Sequence, residues 1–473
     1  MAFIFSGCAS KALDYKPKQI KQGYNASWQH SFNISELNAL IAAALKNNED
    51  LATAAFNLST ALHKAGLKKA DLFPTPSANF NASTKREINH HDSSARAFNT
   101  AFALSWELDI WGRVYDAYIS ADFSAIASSL NLQDIQITIV NSVISEYFRI
   151  LYLNEKEQNL IINLKNMQDL DEIVQNKVAL GRAEPLELAQ SKENLLSTQN
   201  ALHSTRRELQ SAYETLANLT RSELMPSGFI SDILRPRLDF GIKLIASEDL
   251  GFKKASEHNA SSEDLGFKNA SEHNASSEDL GFKNASELKI AWSERILKRP
   301  DVNAALAMLN AGFYDYSAAQ KDFLPSINLN GSLSDNDTKL SKSYSFNLLS
   351  GALSVSLPFL DYARLKQNLL ISENEFNILR LSYEKALNNA INEAIKYASF
   401  YEIDSASLDA QAKIVREREQ IVEIYALKYE QGKAELKDLL EAQNALLSAK
   451  NTLANQKYFL IDDEINFYKA SAY

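Results

Sequence analysis

Leucine recurs at every seventh position in two stretches of the chain: Leu188, Leu195, Leu202, Leu209 and Leu216, then Leu439, Leu446, Leu453 and Leu460. A strict seven-residue repeat keeps one apolar seam facing a partner helix and imposes a left-handed supercoil. Small residues line the neighbouring positions, with Ser191, Thr198, Thr205 and Ala212 in the first stretch and Ala442 and Ala449 in the second. They allow helix backbones to approach closely. An ordinary amphipathic helix would show a broader stripe of period 3.6, so the register predicts coiled coil.

Elsewhere the period is two. Phe98, Thr100, Phe102, Leu104, Trp106 and Leu108 alternate with Asn99, Ala101, Ala103, Ser105 and Glu107. Before them, Ala78, Phe80 and Ala82 alternate with Ser77, Asn79, Asn81 and Ser83. Further on, Ile327, Leu329 and Leu333 oppose Ser326, Asn328, Asn330 and Ser332, and Leu349, Leu353, Val355 and Leu357 oppose Ser350, Ala352, Ser354 and Ser356. Strands with one apolar face and one small polar face, about 10 residues long, are the signature of an outer-membrane barrel. A half-buried strand of a soluble sheet alternates in the same way, but two hairpins cannot cover their own apolar face. Closing a barrel takes about eight strands, so four per chain predict strands shared between copies. Three copies would supply twelve strands, with no sheet edge left in lipid. The loops Thr84–Arg96 and Asp335–Ser343 are polar and are expected to face outward.

The two sets of patterns are related by duplication. Asp71-Leu72-Phe73-Pro74 recurs as Asp322-Phe323-Leu324-Pro325, Leu108-Asp109 with Arg113 as Leu360-Asp361 with Arg364, and Gly181-Arg182-Ala183-Glu184 as Gly432-Lys433-Ala434-Glu435. The offset is 251 and slips by one only around Asp109. Each half predicts a first helix (48–70 or 299–321), a hairpin (76–110 or 326–360), a long helix (114–180 or 365–431) broken by Gly181 or Gly432, and a last helix (183–217 or 434–468). The long helices would span roughly 100 Å at 1.5 Å per residue, too long for the interior of a compact domain. The expected fold class is therefore mainly α with a β-barrel part. The expected organisation is a signal-peptide remnant (1–7), an N-terminal anchored segment (8–47), a first repeat (48–220), a linker (221–298) and a second repeat (299–473).

Composition removes several alternatives. There are 49 Lys plus Arg against 59 Asp plus Glu, a net charge of −10, which argues against nucleic acid as a partner. Only 14 Gly and 9 Pro interrupt 473 residues, as long helices require. No run of 18 or more apolar residues provides a membrane-spanning helix. The single cysteine, Cys8, excludes a disulfide framework. It follows Phe5-Ser6-Gly7 and resembles the lipidated cysteine of a bacterial lipoprotein; a buried cysteine without a role is the alternative. Seven residues without a charge precede it, as expected of a start set downstream of the natural one. No phosphate loop, nucleophile elbow or metalloprotease motif occurs, so neither catalysis nor a cofactor is expected. His90-His91-Asp92 contains metal-ligand types, but the exposed loop predicted there makes no metal site expected.

The duplicated layout, with Leu-Asp-Ile-Trp-Gly-Arg at 108–113 and the glycine breaks, resembles the TolC-like outer-membrane factor family over nearly all of residues 30–470. It is most similar to the lipidated channel subunits of resistance-nodulation-division multidrug efflux pumps. That resemblance implies a homotrimer in outer-membrane lipid, a twelve-stranded barrel, a helical tunnel in the periplasm and no catalysis. It implies two protein partners, a periplasmic adaptor and an inner-membrane transporter. It also implies a gate at the periplasmic helix tips, carried here by Tyr429, Asp438 and Glu441, with Glu187 as the equivalent acid of the first repeat. On a three-fold axis each acid would form a ring of three carboxylates that attracts cations. The basic residue usual two positions after the glycine is missing, since Ala183 and Ala434 stand there. Ducts for type I protein secretion and for metal ions share this resemblance. A structural coiled-coil surface protein is the reading from another class.

One segment falls outside the duplication. Ser-Glu-Asp-Leu-Gly-Phe-Lys occurs at 247–253, 262–268 and 277–283, a tandem repeat of period 15. Two units carry Glu-His-Asn-Ala-Ser, which resembles an extended bacterial N-glycosylation sequon and makes Asn259 and Asn274 candidates. Slippage duplication without a role explains the repeat equally well.

Overall fold

The computed structural model describes residues 34–86, 94–221, 295–339 and 346–471. Cys8, His90-His91-Asp92, Asn259 and Asn274 lie outside them. In chain order the elements are α1 (Ser35–Asn47), α2 (Glu49–Ala70), β1 (Thr75–Arg86), β2 (Ser94–Leu108), α3 (Arg113–Ala179) and α4 (Pro185–Thr220). The second repeat supplies α5 (Pro300–Lys321), β3 (Ser326–Asp337), β4 (Leu348–Ser356), α6 (Tyr362–Glu430) and α7 (Leu436–Ser471). Both repeats run helix, hairpin, long helix, last helix, as the duplication predicts. The second hairpin is shorter than 326–360, because Pro358, which has no N–H to donate, opens a 3-10 turn over Pro358–Asp361.

The described residues fold into two units. One holds 53–86, 94–134, 300–339 and 346–387; the other holds 34–52, 135–221, 295–299 and 388–471. The long helices α3 and α6 contribute residues to both.

The first unit contains the sheet. It is antiparallel, in the order β1-β2-β3-β4. Register places Ala78, Phe102, Leu333 and Leu349 in one row and Trp106, Leu329 and Leu353 in another, with Ser77, Ala103, Ser332 and Ser350 on the opposite face. The faces are those the alternation predicts. The apolar face is uncovered among the described residues: Phe102 is 51% exposed and Leu349 81%. Among the described residues β1 and β4 each pair on one side only. Beside the sheet, α5 is buried nearly all round, and Leu306 and Leu309 pack on Phe376 of α6. Gly312 permits this approach, since a Cβ there would stand 2.5 Å from Leu379 Cδ1.

The second unit is a helical bundle. Val143, Ile144, Tyr147 and Ile150 of α3 form its centre with Ala212 and Leu216 of α4 and Ile465 and Tyr468 of α7. Leu37, Ile41 and Ala44 of α1 complete this core, so part of the segment expected to be lipid-anchored and equatorial is a packed helix. Each fully buried Leu or Ile contributes about 1.5–3 kcal/mol relative to an exposed one. The heptad stretches behave as expected. Ser191, Thr198, Thr205, Ala212, Ala442 and Ala449 are all buried. Two of them bond to α3, where Ser191 donates to Asp171 and Thr198 Oγ1 accepts from Asn163 Nδ2 at 3.4 Å.

Candidate functional site

The tips of the two helical hairpins carry the expected gate residues, and their backbones are built alike. Gly181 has φ +64° and Gly432 φ +69°, left-handed values that glycine adopts without strain. Arg182 N–H donates to Lys177 O (2.8 Å) and Gly181 N–H to Val178 O (2.9 Å). Lys433 N–H donates to Lys428 O (2.8 Å) and Gly432 N–H to Tyr429 O (3.1 Å). Each pair is a Schellman cap, which satisfies carbonyls that the end of the helix leaves free.

The next helix starts four residues after each glycine. Pro185 stands at the first position of α4, and Glu187 Oε1 accepts from Glu184 N–H at 3.3 Å, with the reciprocal capping bond present. In the second repeat Asp438 Oδ2 accepts from Glu435 N–H, also at 3.3 Å. Glu187 and Asp438 are therefore helix-capping carboxylates at equivalent positions, a role that their spacing from Glu184 and Glu435 could have revealed. Glu441 lies on the exposed face, 3.8 Å from Lys437 Nζ. Tyr429 is buried among Met167, Leu170 and Val174 of α3 and Leu436, Leu439 and Leu440 of α7. Lys177 Nζ stands 3.7 Å from its ring centroid. Glu187, Tyr429 and Asp438 thus flank the two glycine turns, and Glu441 lies further into α7.

The Leu108–Arg113 motif is a corner between strand and helix. Asp109 accepts from Val114 N–H (3.1 Å) and Tyr115 N–H (2.8 Å) and so caps α3. Gly112 has φ +72°. Trp111 Nε1–H donates to Pro325 O (2.8 Å) and Trp106 Nε1–H to Leu72 O (3.0 Å). Arg113 Nη2 donates to both Glu107 oxygens, at 2.8 and 2.9 Å, and Nη1 lies 3.6 Å from Asp322. Burial opposes the guanidinium charge, but Glu107 and Asp322 outweigh it and hold the Arg113 pKa above its ordinary value. Lys321 Nζ ties the end of α5 to Gly112 O (3.1 Å) and Asp116 Oδ2 (2.5 Å).

A further polar cluster sits between α6 and α7. Asp463 is 7% exposed. Burial, and then the hydrogen-bonded Asp404 carboxyl and nearby Asp462, push its pKa up to about 7, against the opposing pull of Lys396. Among the described residues no helix is long and apolar enough to cross a membrane. None of their His, Cys, Asp and Glu side chains group as metal ligands do.

Paired long helices in duplicate, with a sheet that is apolar on one face and open at both edges among the described residues, define the class of outer-membrane channel proteins. The chain belongs to the outer membrane efflux protein family, whose profile matches residues 40–220 and 292–472. It is 26% identical to the toxin and drug export protein A of Aggregatibacter actinomycetemcomitans, across 100% of this chain and 96% of that one. It is 23% identical to the cation efflux system protein CusC of Escherichia coli (strain K12), across 94% and 88%. The fold matches the crystal structure of the Campylobacter jejuni CmeC outer membrane channel with a TM-score of 0.76, at 21% identity, covering 98% of this chain and 90% of that one. The protein is thus an outer-membrane efflux channel and not an enzyme, which sets aside the structural coiled-coil reading.

Proposed function

We propose that the chain is the exit duct of a tripartite resistance-nodulation-division multidrug efflux pump. It works as a homotrimer and conducts drugs and other small molecules passively from the periplasm to the exterior. The sheet carries this reading. Among the described residues its four strands end in two unpaired edges, and its apolar face is left open. Edges bare in lipid would cost several kcal/mol for each unsatisfied backbone group. Three copies pairing β4 to the next β1 close a twelve-stranded barrel and remove every edge.

In this reading Cys8 is the lipid-anchoring residue, and a periplasmic adaptor and an inner-membrane transporter complete the pump. Asn259 and Asn274 of the tandem repeats, which lie outside the described residues, are the candidate glycosylation sites. The gate lies at the hairpin tips, with Asp438 and Glu441 as rings of carboxylates and Tyr429 and Glu187 beside them. A second cargo is favoured by the relative whose name is cation efflux system protein, namely a metal ion carried through the same duct.

Single-channel conductance in a planar bilayer tests the duct and its gate together. Because Asp438 also caps α7, the informative variant is Asp438→Asn/Glu441→Gln, which removes charge and keeps the acceptor for Glu435 N–H. A small, cation-preferring conductance that rises in the variant supports the reading. An unchanged conductance refutes the gate, and no conductance from intact trimers refutes the duct. Susceptibility to drugs and to metal salts in a strain lacking the protein separates the two cargo readings.

A further inference from the structure

The hairpin tips share a backbone but differ in their side chains. With the offset of 251, Lys428 corresponds to Lys177, Tyr425 to Val174 and Tyr429 to Val178. The aromatic rings belong to the second repeat alone, and the two lysines use them differently. Lys428 Nζ lies 5.5 Å from the ring of Tyr425, on its own helix. Lys177 Nζ lies 3.7 Å from the ring of Tyr429, on the helix of the other repeat.

The setting strengthens the second contact. Tyr429 is 7% exposed, and its hydroxyl has no hydrogen-bond partner among the described residues. The ring is therefore held by packing and by the ammonium, without a polar anchor of its own. A cation over a desolvated aromatic face is bound more firmly than one over an exposed face. Lys177 also lies in the last turn of α3, where the helix dipole favours positive charge. Its own carbonyl accepts from Arg182 N–H, so the residue that reaches the ring is fixed by the Schellman cap. No reciprocal contact can form, because Val178 offers Lys428 no ring.

We propose that Lys177 is a positioning residue of the gate: its ammonium, seated on Tyr429, clasps the first-repeat tip to the second-repeat tip within each protomer and holds the closed state. The proposal rests on the gate reading above. Opening must then lift the ring from the ammonium. The duplication supplies two similar tips, and the two tyrosines make the link run one way, from α3 to α6.

Planar-bilayer recordings on the full chain test this with Lys177→Met, Lys177→Arg, Tyr429→Phe and Tyr429→Leu. Lys177→Met is expected to raise the open population about five- to thirtyfold. Lys177→Arg and Tyr429→Phe keep cation and ring and should open the channel far less than Lys177→Met does. Tyr429→Leu, which removes no charge, should open the channel as Lys177→Met does, and combining those two should add nothing further. A wild-type recording from Lys177→Met, additive effects in the double variant, or loss of the trimer in Lys177→Met overturns the clasp. If Asp438→Asn/Glu441→Gln opens the channel while Lys177→Met does not, the clasp fails and the gate stands. If neither variant opens it, both fail.

Discussion

Replacing Asp463 by asparagine should make the protein more stable at pH 8 and remove a pH dependence that the wild type carries. Asp463 is buried on α7 beside Asp404 of α6, and two carboxyl groups that hydrogen-bond must share a proton. Its folded pKa of about 7 compares with an ordinary value of about 3.9. The folded state therefore binds a proton that the unfolded state has released over that interval. Stability from this group is fully present below about pH 3.9 and declines as pH rises, with the loss complete above about pH 7. A separation of about three pKa units corresponds to a loss of the order of 4 kcal/mol per protomer. The groups facing Asp463 are Asp404, Asp462 and Lys396, and the ammonium of Lys396 offsets part of the repulsion. The amide of Asp463→Asn can donate to Asp404 at every pH and has no proton to lose. Thermal unfolding of the detergent-solubilised protein from pH 4 to pH 8, for wild type and variant, reads the difference directly. The two melting temperatures should be closest at low pH and separate progressively towards pH 7. A difference that stays constant across the range would refute the shared proton.

Three further outcomes follow from the geometry. Gly181→Ala and Gly432→Ala should each lower stability by about 1 kcal/mol and by similar amounts, because each site is left-handed and neither has an atom within 4 Å of the new Cβ; unequal melting shifts would show that the tips are not equivalent. Arg113→Lys keeps the charge but loses the fork that spans Glu107 and Asp322, and should cost about 1–2 kcal/mol in chemical denaturation. Leu216→Ala empties a fully buried site in the core formed by α1, α3, α4 and α7, so its denaturation midpoint should fall by the equivalent of about 2–5 kcal/mol, far more than for Leu186→Ala at an exposed position.

What could be read from the sequence was whatever repeats locally. The period-two strands fix their own faces: Phe102 and Leu333, which pair, both lie on the apolar side of an alternation. The heptad leucines marked the seam, and the small residues beside them are buried as their size suggested. The helix α1 was missed although Leu37, Ile41 and Ala44 have helical spacing and Asn48 caps α2, accepting from Asp50 N–H at 2.9 Å. The capping function of Glu187 and Asp438 is legible in their three-residue spacing from Glu184 and Glu435. Contacts between residues far apart in the chain left no sequence signal. Trp111 reaches Pro325 and Lys177 reaches Tyr429 only because the repeats fold together within each unit.

The middle seam of the sheet sets an order on folding. Each hairpin joins neighbours in sequence, Asn81 with Asn99 and Leu333 with Leu349, so each can form as soon as it is made. The β2–β3 seam pairs Leu108 with Ile327 and Phe98 with Asp337, across the whole of α3, α4, the linker and α5. Loop closure over that distance is slow compared with a hairpin. A chain emerging from its N-terminus carries β2 with a bare edge until residue 337 has followed, and bare edges are where chains pair wrongly. Until then the nascent first repeat exposes the β2 edge that β3 later covers.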